Sequence, residues 1–129
     1  MKLVKSEFKE DIGVFFLEVT GSCGVQETKD LLSDFVEILR ARRDEFSKIL
    51  LWHNDVQMKD TSIEYLELYD VIASNPDVMD GSSVAIVSLD ADVVARNVLF
   101  RSKVGDKMNI EVFDIVERGY NWLASIPNE

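Results

Sequence analysis

Two rhythms of apolar and polar residues run along the chain, and each change of rhythm marks a change of element. Residues 3–8 alternate loosely. GVFFLEVTG, residues 13–21, is a dense β-favouring run between glycines, and KEDIG supplies the turn before it. Together they predict a hairpin. The rhythm then lengthens. Over residues 24–43, Leu31, Leu32, Phe35, Val36 and Leu39 recur at three- and four-residue spacing, which predicts a long helix. Glu27 and Asp30 near its start and Arg40, Arg42 and Arg43 at its end complement the helix dipole.

KILLWH, residues 48–53, is a short apolar run suited to a central strand, and NDVQMKD reads as the loop after it. Ile63, Leu66, Tyr69, Ile72 and Ala73 set a second helical stripe over residues 61–74. Asn75-Pro76 ends it, because a residue before proline avoids helical geometry. SSVAIVSL, residues 82–89, is another buried strand. Asp90 caps a third helix with the stripe Val93, Val94, Asn97, Val98, Phe100 and Val104; Asn97 is its odd polar member and Gly105 its stop. MNIEVFD, residues 108–114, is a last strand. Asp114 and Glu117 have the spacing of a capping box for a final helix over residues 115–125. The order β-β-α-β-α-β-α-β-α predicts an α/β fold, with a mixed, mostly parallel sheet of about five strands, an antiparallel edge and four packing helices.

Length and composition narrow the class. The chain has 129 residues with no repeat, low-complexity segment or Pro/Gly-rich linker, so residues 1–129 read as one domain. With 47% hydrophobic residues it can bury a real core, which argues against disorder. Acidic residues outnumber basic ones 24 to 14, for a formal net charge of -10. Such a surface repels phosphate backbones and anionic lipids, which argues against nucleic-acid and membrane-surface roles. Arg40, Arg42 and Arg43 are the best candidate for a local basic patch. One cysteine, Cys23, allows no internal disulfide, and no apolar run reaches signal-peptide or membrane-spanning length. A cytoplasmic protein is expected.

The element order is also that of the STAS domain, the fold of anti-sigma-factor antagonists. Three stretches, GSCGVQETKDLLSDF, SSVAIVSLDADVVARNVLFR and IEVFDIVERGYNWL, resemble a divergent bacterial group of that fold, the SpoIIAA-like (STAS/SEC14) domains. That group tends to carry alanine three residues before the tryptophan, where this chain has Gly119. In antagonist-type STAS domains the helix after the third strand opens with Asp-Ser-Ser-Gly or Asp-Thr-x, and the first hydroxyl is phosphorylated in switching members. Asp60-Thr61-Ser62-Ile63 stands at that place. The resemblance implies Thr61 as phosphoacceptor with Ser62 beside it, while Ile63 replaces the motif's glycine. Thr61 and Glu64 also have the spacing of a capping box, which needs no function.

Other chemistries fit less well. A receiver domain would need an acidic pair after its first strand and a lysine after its fifth, and GSCG and VFDIVE supply neither. His53, the single histidine, has Asp55 nearby but no convincing third member for a metal or catalytic site; a strand-end histidine making one hydrogen bond is expected. Cys23 reads as a small loop residue. Asp77, Asp80, Asp90 and Asp92 do not match a calcium loop and read as turns and a cap.

The expectation is a non-catalytic regulatory or protein-interaction module of STAS type, without cofactor or metal, switched by phosphorylation near Thr61. Its interaction surface is expected over Asp55, Asp60, Ile63, Tyr65 and Tyr69, facing a protein partner. The alternative is a small apolar-ligand, lipid-like binding domain, with Met58, Tyr65, Phe100 and Trp122 lining the cavity. A homodimer is compatible with the chain, and no residue marks its surface.

Overall fold

The order of apolar runs becomes the order of strands across one five-stranded sheet, β1-β2-β3-β4-β5. The computed structural model describes residues 2–59 and 61–127, with the side chains of Cys23 and Ser62 outside that description. β1 (Lys2–Lys9) pairs antiparallel with β2 (Val14–Cys23), and β3 (Lys48–Met58), β4 (Ser83–Val87) and β5 (Asn109–Phe113) follow in parallel. Gly13, at φ 67°, closes the hairpin turn with a backbone that side chains resist. This is the α/β fold with a mixed sheet and antiparallel edge that the patterning predicts.

Each parallel crossover carries helix. α1 (Val25–Arg40) links β2 to β3. Three short helices, α2 (Ser62–Tyr65), α3 (Tyr69–Ser74) and α4 (Pro76–Met79), link β3 to β4. α5 (Ala91–Val104) links β4 to β5, and α6 (Val116–Ser125) closes the chain. Consecutive parallel strands with right-handed crossovers send the linking helices to one face. The core divides accordingly. Phe15, Leu17 and Val19 of β2, Ile49 of β3, and Val84 and Ile86 of β4 meet α1, the α2–α4 segment and α5. The alternate residues Val14, Phe16, Leu50, Ala85 and Val87 meet Leu123 of α6.

Three expectations change. The second helix is not continuous: a 3-10 turn at Leu66–Leu68 separates α2 from α3, and Asn75-Pro76 starts the extra turn α4. The stretch NDVQMKD is mostly strand, since β3 runs on to Met58 beside Gly21, Ser22 and Cys23. Its register jumps from Val19–His53 to Gly21–Val56, so β3 carries one extra residue, and Asp55 absorbs the bend at φ 57°. The Asp114–Glu117 box does not form; Asp114 instead accepts two hydrogen bonds from Arg118, at 3.1 and 3.2 Å.

The basic patch is also spent. Arg40 pairs with Asp77 and donates to Asn75 Oδ1 at 2.8 Å. Arg42 bridges Glu10 and Glu45 and lies over the Phe8 and Phe46 rings, and Arg43 donates to the Asp80 carbonyl. Among the described residues no helix is long and apolar enough to cross a membrane.

Candidate functional site

The carboxyl ends of the parallel strands carry the stretch that the sequence singles out. Thr61 caps α2 by both halves of a box: its Oγ1 accepts from Glu64 N at 3.1 Å, and its own N–H donates to Glu64 Oε1 at 3.2 Å. Its hydroxyl is exposed yet has a structural task worth about 1 kcal/mol. Asp60 and the Ser62 side chain lie outside the described residues. Ile63 is 79% exposed, an apolar side chain with nothing over it. Asp55 is exposed on the β3 bend, where its Oδ1 accepts from Gln57 Nε2 at 3.0 Å.

The expected interaction surface divides at Tyr65. Tyr65 is buried and points inward, so it is not available to a partner in this structure. One turn on, Tyr69 is half-buried with Lys103 Nζ 5.2 Å from its ring centre. The reason is spacing. Tyr65, Leu68 and Ile72 fall on one stripe of the α2–α3 segment, and that stripe faces the sheet.

Behind that stripe lies a cavity of about 90 Å³ between the sheet, α1, the α2–α3 segment and α5. Leu17, Val19, Ile49, Leu51 and Ile86 form its floor, and Phe35, Leu68, Ile72 and Phe100 its walls. Tyr65 and Phe100 meet edge to face, 5.9 Å between ring centres. Of the residues expected to line a cavity, Phe100 and Tyr65 do so. Met58 packs against the same core at its margin but does not reach the lining. Trp122 belongs to the opposite face, against Phe113, because α6 is the helix that does not lie on the cavity side.

Four polar side chains reach this lining: Thr28, His53, Tyr65 and Asn97. Tyr65 Oη donates to Asn97 Oδ1 at 3.0 Å, and Asn97 Nδ2 donates to the Val93 carbonyl at 2.9 Å. Thr28 Oγ1 donates to the Gly24 carbonyl at 3.0 Å. His53 differs. It is buried, and its Nδ1 has no hydrogen-bond partner among the described residues. Burial in apolar surroundings lowers its pKa to about 4, so the ring is neutral at pH 7. The signal was present in the sequence: β3 alternation puts His53 in register with Ile49 and Leu51, and Asn97 interrupts the α5 stripe.

A surface cleft adjoins the cavity at the carboxyl edge. Asp55, Ser88, Asp90 and Asp114 line it, and His53 belongs to both. Asp90 is occupied in capping α5, accepting from Asp92 N and Val93 N at 2.9 and 3.0 Å. Leu89 and Ile115, also in this cleft, are 85% and 45% exposed. Among the described residues no group of three or more His, Cys, Asp or Glu is arranged to hold a metal ion. Comparisons with protein-family models, with curated proteins and with solved structures found nothing that matches this chain.

Proposed function

We propose that this chain is a non-catalytic binding module of STAS type that encloses a small apolar ligand. The observation that carries the reading is the cavity between the sheet and three helical segments, whose lining is apolar apart from Thr28, His53, Tyr65 and Asn97. Protein interiors leave few voids larger than a water molecule, and apolar ones stay dry and take up apolar molecules. The element order and the sequential sheet, with one antiparallel edge, support the STAS resemblance. A regulatory role would follow because the wall segment containing Tyr65 begins at the exposed cap Thr61, so occupancy inside and events at the surface act on one short helix. The test is thermal unfolding against a panel of small apolar molecules. A saturable rise in melting temperature is expected. A flat response across the panel overturns the reading.

A second reading, a protein-interaction module in a bacterial cytoplasm switched at Thr61, is supported by Ile63, Leu89 and Ile115, three exposed apolar side chains in segments that follow the carboxyl ends of β3, β4 and β5. Phosphopeptide mass spectrometry on protein from its native cells tests it at the Thr61–Ser62 peptide. Stoichiometric phosphate on Thr61 would favour the switch, and an unmodified peptide under several growth conditions would leave the cap as its only role.

A further inference from the structure

We propose that the cleft at the carboxyl edge of the sheet docks a protein segment that presents an apolar side chain flanked by lysine or arginine. This rests on the protein-interaction reading above and adds the chemistry of the partner to it; the internal cavity plays no part.

Two neighbouring loops build one wall of the cleft, and they are built alike. The loop between β4 and α5 carries Leu89-Asp90, and the loop between β5 and α6 carries Asp114-Ile115. Each sets an exposed branched apolar side chain beside an exposed carboxylate. Both loops are held in place. Ser88 N donates to the Phe113 carbonyl at 3.0 Å and ties one to the other. Ser88 Oγ accepts from Asp90 N at 3.0 Å, and Asp90 Oδ1 caps α5. Asp114 is bound by Arg118 one turn on. Leu89 and Ile115 therefore project from fixed backbone, so a partner that covers them orders little that is not ordered already. Loops at the carboxyl ends of parallel strands are also where open α/β sheets bind.

Charge selects the occupant. The cleft holds about 550 Å³; Asp55, Asp90 and Asp114 line it, and no described lysine or arginine does. Arg118 offsets Asp114 from outside the lining. Among the described residues, Asp55 and Asp90 accept only from uncharged amides. The cleft at the opposite edge mixes Arg43 and Lys48 with its carboxylates, so the lack of cations here is local. A second copy of the chain would bring the same carboxylates against these, and anionic lipid or nucleic acid would be repelled. A basic segment is attracted. Its apolar side chain covers Leu89 and Ile115, and its ammonium or guanidinium groups meet Asp55 and Asp90 at the polar rim.

The test uses the full chain and three short peptides. One is a leucine–lysine helix with leucines on one face, the second its leucine–glutamate counterpart, and the third a serine–lysine peptide of the same charge as the first. Amide NMR maps each contact, and calorimetric titration gives each affinity. The leucine–lysine peptide is expected to bind saturably and to shift the amides of residues 55, 88–90 and 113–116. The serine–lysine peptide should bind at least about tenfold more weakly, and the leucine–glutamate peptide not at all. Leu89 is 85% exposed, so Leu89→Ser should leave the fold intact and weaken the leucine–lysine peptide about fivefold or more. Asp55→Asn with Asp90→Asn removes both charges and keeps their structural tasks, because asparagine tolerates the left-handed backbone and caps a helix as well as aspartate. That pair should weaken binding about three- to tenfold. Equal binding of the leucine–glutamate peptide at these residues would overturn the basic chemistry and leave an interaction surface standing. Equal binding of the serine–lysine peptide would overturn the apolar contact. Shifts scattered over the acidic surface and indifferent to Leu89→Ser would overturn the docking site. Failure of all three peptides to bind would overturn the interaction reading at this edge as well.

Discussion

Alanine at position 119 tests how closely α6 lies on the sheet. Gly119 is buried in the middle of α6, and a Cβ built on it would stand 3.1 Å from Leu50 Cδ1, 3.3 Å from Ala85 Cβ and 3.3 Å from Val87 Cγ2. Two effects oppose each other in Gly119→Ala. Helix propensity favours alanine by about 1 kcal/mol. Overpacking of a filled core costs about 1–3 kcal/mol. Leu50 can turn its methyl only within a packed interior, and Ala85 has no rotamer to change, so α6 itself must lift by a few tenths of an ångström. That would loosen Leu123 and Trp122 along with it. Overpacking should therefore win, with a net loss of about 1 kcal/mol. Urea unfolding measures it as a lower midpoint at unchanged slope. Leu50→Val supplies the internal control: it should cost less in the Gly119→Ala background than in the wild-type chain, because it withdraws the atom nearest the new Cβ. A raised midpoint for Gly119→Ala, or additive effects in the double variant, would refute the close approach.

Tyr65→Phe should cost about 1–2 kcal/mol by urea unfolding, because it leaves the buried Asn97 Oδ1 without its donor. Tyr120→Phe should be neutral or stabilising by up to about 1 kcal/mol in the same assay, since the hydroxyl it removes is buried without a partner among the described residues. Thr61→Ala should cost about 1 kcal/mol, with faster amide exchange confined to residues 61–65, where the capping box acts. The folded-state pKa of His53 lies below its ordinary value, so the unfolded chain binds the proton first. Stability should be unaffected by this group above about pH 6.5 and fall as pH drops toward 4, by about 3 kcal/mol in all. His53→Leu should flatten that part of the pH-stability curve.

How much of this was legible in the sequence depends on whether the determining contact is local. The strand order, α1, the Asp90 cap and the stop at Gly105 follow from runs, spacings and single residues, and the chain adopts them. The two capping boxes separate the cases sharply. Thr61–Glu64 and Asp114–Glu117 have the same spacing, but only the first forms. At the second, Arg118 lies one turn from Asp114 and takes its carboxylate, a competition that spacing does not rank. The extension of β3 was hidden for a similar reason. Its polar residues look like loop until Val56 and Met58 pair with Gly21 and Cys23 across a shifted register, a contact between segments 35 residues apart. The candidate site is the extreme case. His53 and Asn97 each stand out as polar residues on apolar stripes, and each alone reads as an oddity of its own element. The fold separates them by letting Tyr65 satisfy Asn97 while no described residue satisfies His53 Nδ1. An inward polar residue in a sequence is thus a question about its partner, and the answer differs: Asn97 finds one in Tyr65, and His53 Nδ1 finds none among the described residues.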